Sequence, residues 1–226
     1  MLIDEIIGKL KEITTKDIDK KGYIISMYPE DNLLQTIANW DIIKEEIGNG
    51  QGSELKIDKN DRRKFCALHS SSALCVNNFA LFKQNHENIS FFSKTNFTEA
   101  VFEKKLPTGI STPNLDFYIE NSDTIIGIES KFTEYLNSNI NHTKENLGKY
   151  FMREELSFLP RLFDSIILNY LNCPDKMFLN VAQLIKHSIG LLKNKGNKEA
   201  ILVYVYWQPK RWDKNGAFQR IHEQHN

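Results

Sequence analysis

The sequence predicts an α/β fold, a mixed β-sheet flanked by helices, with a helical N-terminal region. Three observations predict it. In the first third, apolar residues recur at helical spacing, as in Leu2, Ile3, Ile6, Ile7, Leu10 and Ile13. In the middle, two strand-like runs, Asp116-Phe117-Tyr118-Ile119 and Thr124 to Lys131, flank the polar turn Asn121-Ser122-Asp123. Helical spacing then returns, followed by a nearly continuous apolar run from Glu199 to Trp207.

Taken in order, a first helix is expected over residues 2–20. Pro29-Glu30-Asp31 opens a second, through about Ile47, because an early proline and early acids suit a helix N-terminus. Gly48 to Ser53 breaks the chain. A third helix covers His69 to Lys83, with Ser70 or Ser71 as its N-cap. Phe91-Phe92 and Val101-Phe102-Glu103 read as strand or strand edge. Thr124 to Lys131 is the strongest strand, and with Asp116 to Ile119 it forms a hairpin. Helices follow over 142–156, 160–171 and from Pro174 to Leu192, stopped by Asn194 to Asn197. The Glu199–Trp207 run is long enough to be buried on both faces. His222-Glu223-Gln224-His225 is expected to be a solvated tail; its second histidine comes one residue early for HExxH.

Composition bounds the function. With 226 residues the chain fits one domain, a helical part over 1–85 and an α/β core over 86–226. Lys plus Arg equals Asp plus Glu, 29 each, so any grip on phosphate must come from local segregation of charge. Such segregation exists at Arg62-Arg63-Lys64 and over 193–214, where Trp207 and Trp212 interleave with lysines and arginine. Three cysteines without a CxxC pair suit reduced thiols. Without a membrane-length apolar run or a secretory signal pattern, the expected location is the cytoplasm.

The hairpin carries the chemistry. Strand alternation puts Glu129 and Lys131 on one face, with Ser130 opposite. With the turn at 121–123, Asp116 mirrors Glu129, since both are equidistant from 122.5. Two carboxylates and a lysine therefore converge at one end of a sheet. Such carboxylates suit a hard, oxygen-loving ion, and a lysine beside it can orient a water and stabilise charge developing on a phosphate.

Pro113-Asn114-Leu115-Asp116 followed by Glu129-Ser130-Lys131 resembles the motif of the PD-(D/E)xK nuclease superfamily, the fold of many restriction endonucleases. The wider pattern, from Phe102-Glu103 to Phe132-Thr133-Glu134, is similar to bacterial restriction-endonuclease-like proteins. Its proline stands three residues before the aspartate instead of next to it. The resemblance implies a restriction-endonuclease-like sheet and Mg²⁺, with Mn²⁺ as substitute, held by Asp116 and Glu129. Lys131 would position the attacking water. It further implies an upstream acid, Glu103, as a third metal ligand, and a helix glutamine, Gln183, orienting substrate or lysine. DNA is the implied partner, with RNA left open, and cutting both strands would call for a homodimer.

His187 shares a helix face with Gln183 and reads first as a surface or capping residue. His69 and Asn77 are weaker candidates for contact with the DNA backbone or the metal. The rival function classes are an inactive nuclease-fold module that binds nucleic acid or a partner protein, and a serine–histidine hydrolase without a nucleophile elbow.

Overall fold

In a computed structural model of the chain, residues 2–50, 53–136, 147–173, 177–210 and 216–223 are described. The helical N-terminal part is shorter and more broken than its apolar spacing suggests. Helix α1 is Leu2–Ile13. Beyond it the Asp19 carboxylate accepts from the backbone N–H of Lys21 and Tyr23, at 2.8 and 3.0 Å, around Gly22 at φ 85°. That Asx-type turn competes with a helix and wins. Pro29–Asn32 forms a single 3-10 turn, and α2 spans only Trp40–Asn49. The interval is extended because Asn32 donates to the carbonyls of Phe65 and Ala67, while Leu34 N–H donates to Asn77 Oδ1. Asn77, a candidate for the substrate side, is therefore occupied in bracing this loop. Helix α3, Ser71–Asn85, starts as expected, with the Ser70 side chain accepting from Ala73 N–H.

Among the described residues the sheet has four strands, in the order β1-β2-β3-β4. They are β1, Glu99–Lys105; β2, Asn114–Glu120; β3, Thr124–Lys131; and β4, Glu199–Tyr206. The first three are antiparallel neighbours and β4 runs parallel to β3, so the sheet is mixed. Phe91-Phe92 is a tight turn instead of a strand: Phe91 bridges only Lys94, and Phe92 and Ser93 have positive φ. Strand β4 is an edge, half-buried along most of its length, so the expectation of burial on both faces fails. After β3, α4 is Leu162–Asn172 and α5 is Val181–Asn194; residues 142–146 and 174–176 of the expected helices lie outside the described residues. Helix α6, Gly216–Glu223, takes in His222 and Glu223 of the expected solvated tail; Gln224 and His225 lie outside the described residues. Phe218 and Ile221 of this helix are buried in a cluster with Ile6, Tyr135 and Leu136, and the His222 ring lies 3.0 Å from the Tyr206 hydroxyl.

The main core lies between α2, α3 and one face of the sheet. Ile43, Ile47, Phe79 and Ala80 pack there against Phe102, Phe117, Ile126 and Ile128. Phe79 stacks on Phe117 at 5.1 Å. On the other face α5 lies close enough to the sheet that a Cβ on Gly127 would meet the Leu115 and Leu191 side chains. The hairpin is thus fixed from both sides, and its far end is where the polar residues sit.

Candidate active site

Strand β3 is driven into the interior by Ile125, Ile126 and Ile128, all at most 1 % exposed. Its continuation therefore carries Glu129 inward, and that carboxylate is fully buried. A buried charge is tolerated only when paired and hydrogen-bonded; here Oε1 takes the hydrogen bonds, while Oε2 faces the His187 ring without a hydrogen bond of good geometry among the described residues. Gln183 Nε2 donates to Oε1 at 2.7 Å, and the Lys131 ammonium pairs with the same oxygen. His187 Nε2 lies 3.0 Å from Oε2. Gln183 and His187 stand one turn apart on α5, so a single helix face reaches both oxygens. Asn180 caps that helix, accepting from Gln183 N–H at 3.1 Å, and its amide donates to Gln183 Oε1 at 3.2 Å. His187 is 1 % exposed, which corrects its reading as a surface or capping residue. The signal was present in the four-residue spacing from Gln183; what that face packs on was not.

Asp116 arrives from the neighbouring strand. The pairing Phe117↔Ile128, extended by one residue, sets Asp116 opposite Glu129, and Ser130 N–H donates to Asp116 Oδ2 at 2.6 Å. Burial and the Glu129 charge push the Asp116 carboxyl well above its usual range, with Lys131 opposing. Burial alone would raise Glu129 too, but the Lys131 ammonium and the His187 ring outweigh it and hold that carboxyl low. The two carboxyls are thus pushed in opposite directions. Burial pulls the Lys131 ammonium down, and the Glu129 and Asp116 charges more than reverse that, so Lys131 stays charged.

Glu103 enters from β1. Its φ of 55° is in the left-handed region, which non-glycine residues rarely adopt and which recurs at functional sites. Its carboxylate turns toward Gly50, where a Cβ would come within 2.6 Å of Oε2, and it accepts from Asn114 Nδ2 at 3.3 Å. Burial, opposed by Asn114 and reinforced by the charges of Glu54 and Glu129, pushes Glu103 up to about 7. Glu54 follows the glycine break and nothing in the sequence marks it out. Burial raises its own carboxyl as well, against Lys64 and Ser72. Between Glu103 and Asp116 lies a cavity of about 10 Å³, closed by Ile47, Cys75, Val76 and Phe102. That is about the space of one water-sized sphere.

The donor set therefore fits a hard cation in chemistry: carboxylates crowd one lysine, burial and the Glu129 charge raise Asp116 and Glu103, and those two border a small void. Among the described residues, no three His, Cys, Asp or Glu side chains converge closely enough to form a ready ligand cage.

Outside this cluster, the Glu134 carboxylate fastens the end of β3 to α3. Its Oε2 accepts from Ser71 Oγ at 2.5 Å and from the N–H groups of Phe132 and Thr133 at 3.1 Å; Ser71 Oγ in turn accepts from Phe132 N–H at 2.7 Å. A pocket of about 240 Å³ opens beyond Lys131, lined by Glu134, Tyr135, Phe178 and Tyr204 among others. His69 is half-buried with its ring edge-on to Tyr23 at 6.4 Å. Two lysines of the basic segment are engaged in structure: Lys193 donates to Thr108 O, and Lys198 pairs with Glu120 and donates to Asn121 O. Arg62 pairs with Asp19 at 2.5 Å. Trp207 packs on Phe132 at 5.2 Å, and Arg211, Trp212 and Lys214 lie outside the described residues. No disulfide joins Cys66, Cys75 and Cys173; the first two are buried and the third is half-buried. No helix among the described residues is long and apolar enough to cross a membrane.

Comparison with known proteins gives one result. A family model described as Restriction Endonuclease associating with ARP matches residues 9–225. Neither a curated protein nor a solved structure matches the chain.

Proposed function

Because the chain belongs to the family of restriction endonucleases associating with ARP, we propose that it hydrolyses DNA phosphodiester bonds with a divalent metal ion, as a nuclease of PD-(D/E)xK type. The observation that carries this reading is the arrangement around Glu129. A fully buried carboxylate accepts from Gln183 on α5 and lies 3.0 Å from His187 Nε2 on the same helix face, with Lys131 beside it and Asp116 across the hairpin. A surface ion pair needs no such enclosure.

Asp116 and Glu129 would hold the ion, with Glu103 contributing from across the small cavity. Bound Mg²⁺, or Mn²⁺ in its place, supplies charge stabilisation at a phosphate oxygen and a more acidic water. The protein's own groups do the rest. Lys131 is kept protonated, so its ammonium can donate to the attacking water and to the charge that grows on the phosphate. Ser130 N–H fixes the Asp116 carboxylate, so this acid approaches the site with one oxygen already committed. Gln183 and His187 fix the plane of the Glu129 carboxylate, which makes them positioning residues.

The deciding experiment is cleavage of DNA in Mg²⁺ by the wild type and by Asp116→Ala, with and without chelator. Loss of cleavage in the variant and in chelator is expected. Cleavage retained in both would sink the assignment.

The positioning role of His187 has its own expectation. Replacing a residue that orients a metal ligand costs about 10–100-fold in metal affinity or activity. His187→Leu should lower Mn²⁺ affinity by that order in calorimetric titration, and cleavage with it. His187→Gln, which restores an N–H donor, should recover part of both. A leucine variant that titrates like wild type would mean that His187 only fills space.

A further inference from the structure

The pocket beyond Lys131 is too small and too aromatic to be merely the approach to the scissile phosphate. Its volume of about 240 Å³ falls below the ~300–1,000 Å³ of sites for drug-sized ligands. That is room for one planar ring system and not for a length of sugar and phosphate. Three aromatic rings, Tyr135, Phe178 and Tyr204, form its apolar part, with Met177. The Tyr135 hydroxyl is directed away, donating to Trp207 O at 2.6 Å, so this residue offers the pocket its ring. Tyr204 and Tyr206 are 5.9 Å apart at 38°, and Tyr135 and Tyr206 are 5.2 Å apart at 64°, so these side chains back one another.

Polar groups stand on the same wall. The Asn180 amide donates to Gln183, and the Gln183 amide donates to Glu129, so neither amide N–H₂ is unengaged. Glu134 differs. Its Oε2 takes three donors, while among the described residues no hydrogen bond reaches Oε1. The pocket thus combines aromatic faces for stacking, a carboxylate oxygen to accept from an amino group, and a lysine at its mouth.

We propose that this pocket receives a single unpaired nucleobase of the DNA strand, next to the phosphate to be cut; the proposal rests on the nuclease reading above. Stacking on aromatic side chains tolerates every base, because every base has a π-face. The Glu134 oxygen adds a preference for bases with an exocyclic amino group, such as cytosine or adenine, over thymine. A base within a duplex cannot enter. The favoured substrate is therefore single-stranded, frayed or mismatched DNA, where exposing a base costs least.

The test is binding by fluorescence anisotropy without divalent metal, on the full chain. The probes are a labelled oligo-dC, an oligo-dT, a backbone of the same length lacking bases, and a duplex. Oligo-dC should bind about 5- to 100-fold more tightly than the baseless backbone, and more tightly than oligo-dT. Tyr204→Leu and Phe178→Leu keep apolar volume but remove an aromatic face, and each should shrink the first ratio toward one. A 2-aminopurine placed in the oligonucleotide should be quenched by the wild type and less by the variants. Circular dichroism identifies a variant that fails to fold, and the other variant then carries the test. Equal binding of oligo-dC and the baseless backbone would overturn the pocket while leaving the nuclease reading in place, as would a ratio unchanged in both folded variants. Failure to bind any of the four probes would also overturn the pocket, and the nuclease reading is then judged separately by cleavage in Mg²⁺.

Discussion

Lys131→Ala is expected to lower the rate of DNA cleavage by about 10²–10³-fold, the usual cost of losing one preorganised donor aimed at transition-state charge. Position and protonation both support that size. The ammonium is only 15 % exposed and pairs with Glu129, and the Asp116 and Glu129 charges together overcome the burial that would strip its proton. A donor held in a site that excludes water interacts more strongly than one in bulk solvent. The loss should fall on kcat, with KM moving little, because the interaction strengthens as phosphate charge develops. Lys131→Arg should restore little, since a planar guanidinium does not reproduce a compact ammonium beside Glu129. Single-turnover kinetics over a range of enzyme concentrations separate the cleavage step from substrate binding. A fall confined to KM would reassign Lys131 to substrate binding.

Glu129→Ala should abolish detectable cleavage and destabilise the fold by about 3–5 kcal/mol, the range for removing one partner from a buried ion pair. The carboxylate is the common acceptor for Gln183 and Lys131 and faces His187, so alanine leaves three polar groups enclosed without it. One effect works the other way. Part of what pushes Asp116 up is the Glu129 charge, so its removal relieves the Asp116 carboxyl beside Lys131, although burial, the larger cause, remains. The lower half of the range is therefore the expected result. Glu129→Gln keeps the shape and one acceptor oxygen, and should lose cleavage with a smaller loss of stability. Urea denaturation of the three proteins gives the comparison. An unchanged midpoint for Glu129→Ala would show that the enclosed network contributes nothing to stability.

How much of this was legible beforehand differs by element. Strand β3 runs over Thr124–Lys131, the same residues that its unbroken apolar content marks. The hairpin register follows from the polar turn alone: Phe117 pairs with Ile128, which is the mirror about 122.5. Local patterns failed where tertiary contacts decide. The expected first helix runs on to residue 20, but its apolar spacing stops at Ile13 and the Asp19 carboxylate folds the chain back beyond it. The run from Glu199 to Tyr206 is as apolar as a central strand, yet lies at the sheet edge, since apolar content records what a strand can bury and not which neighbours it has. The site divides in the same way. Asp116, Glu129 and Lys131 belong to one hairpin and were readable together. The approach of His187 to Glu129 joins residues 58 positions apart, and only the docking of α5 reveals it.

The Glu134 fastening has a consequence for how such a protein can diverge. Its carboxylate joins the first turn of α3 to the backbone immediately after Lys131, and the same helix lends Phe79 and Ala80 to the core under the hairpin. The helical first third is therefore not cargo that recombination could exchange for another module. Ser71 and Glu134 sit 63 positions apart, yet a change at either one alters the setting of the other. Lineages of this chain should carry the two as a unit, with drift in one half constrained by the other.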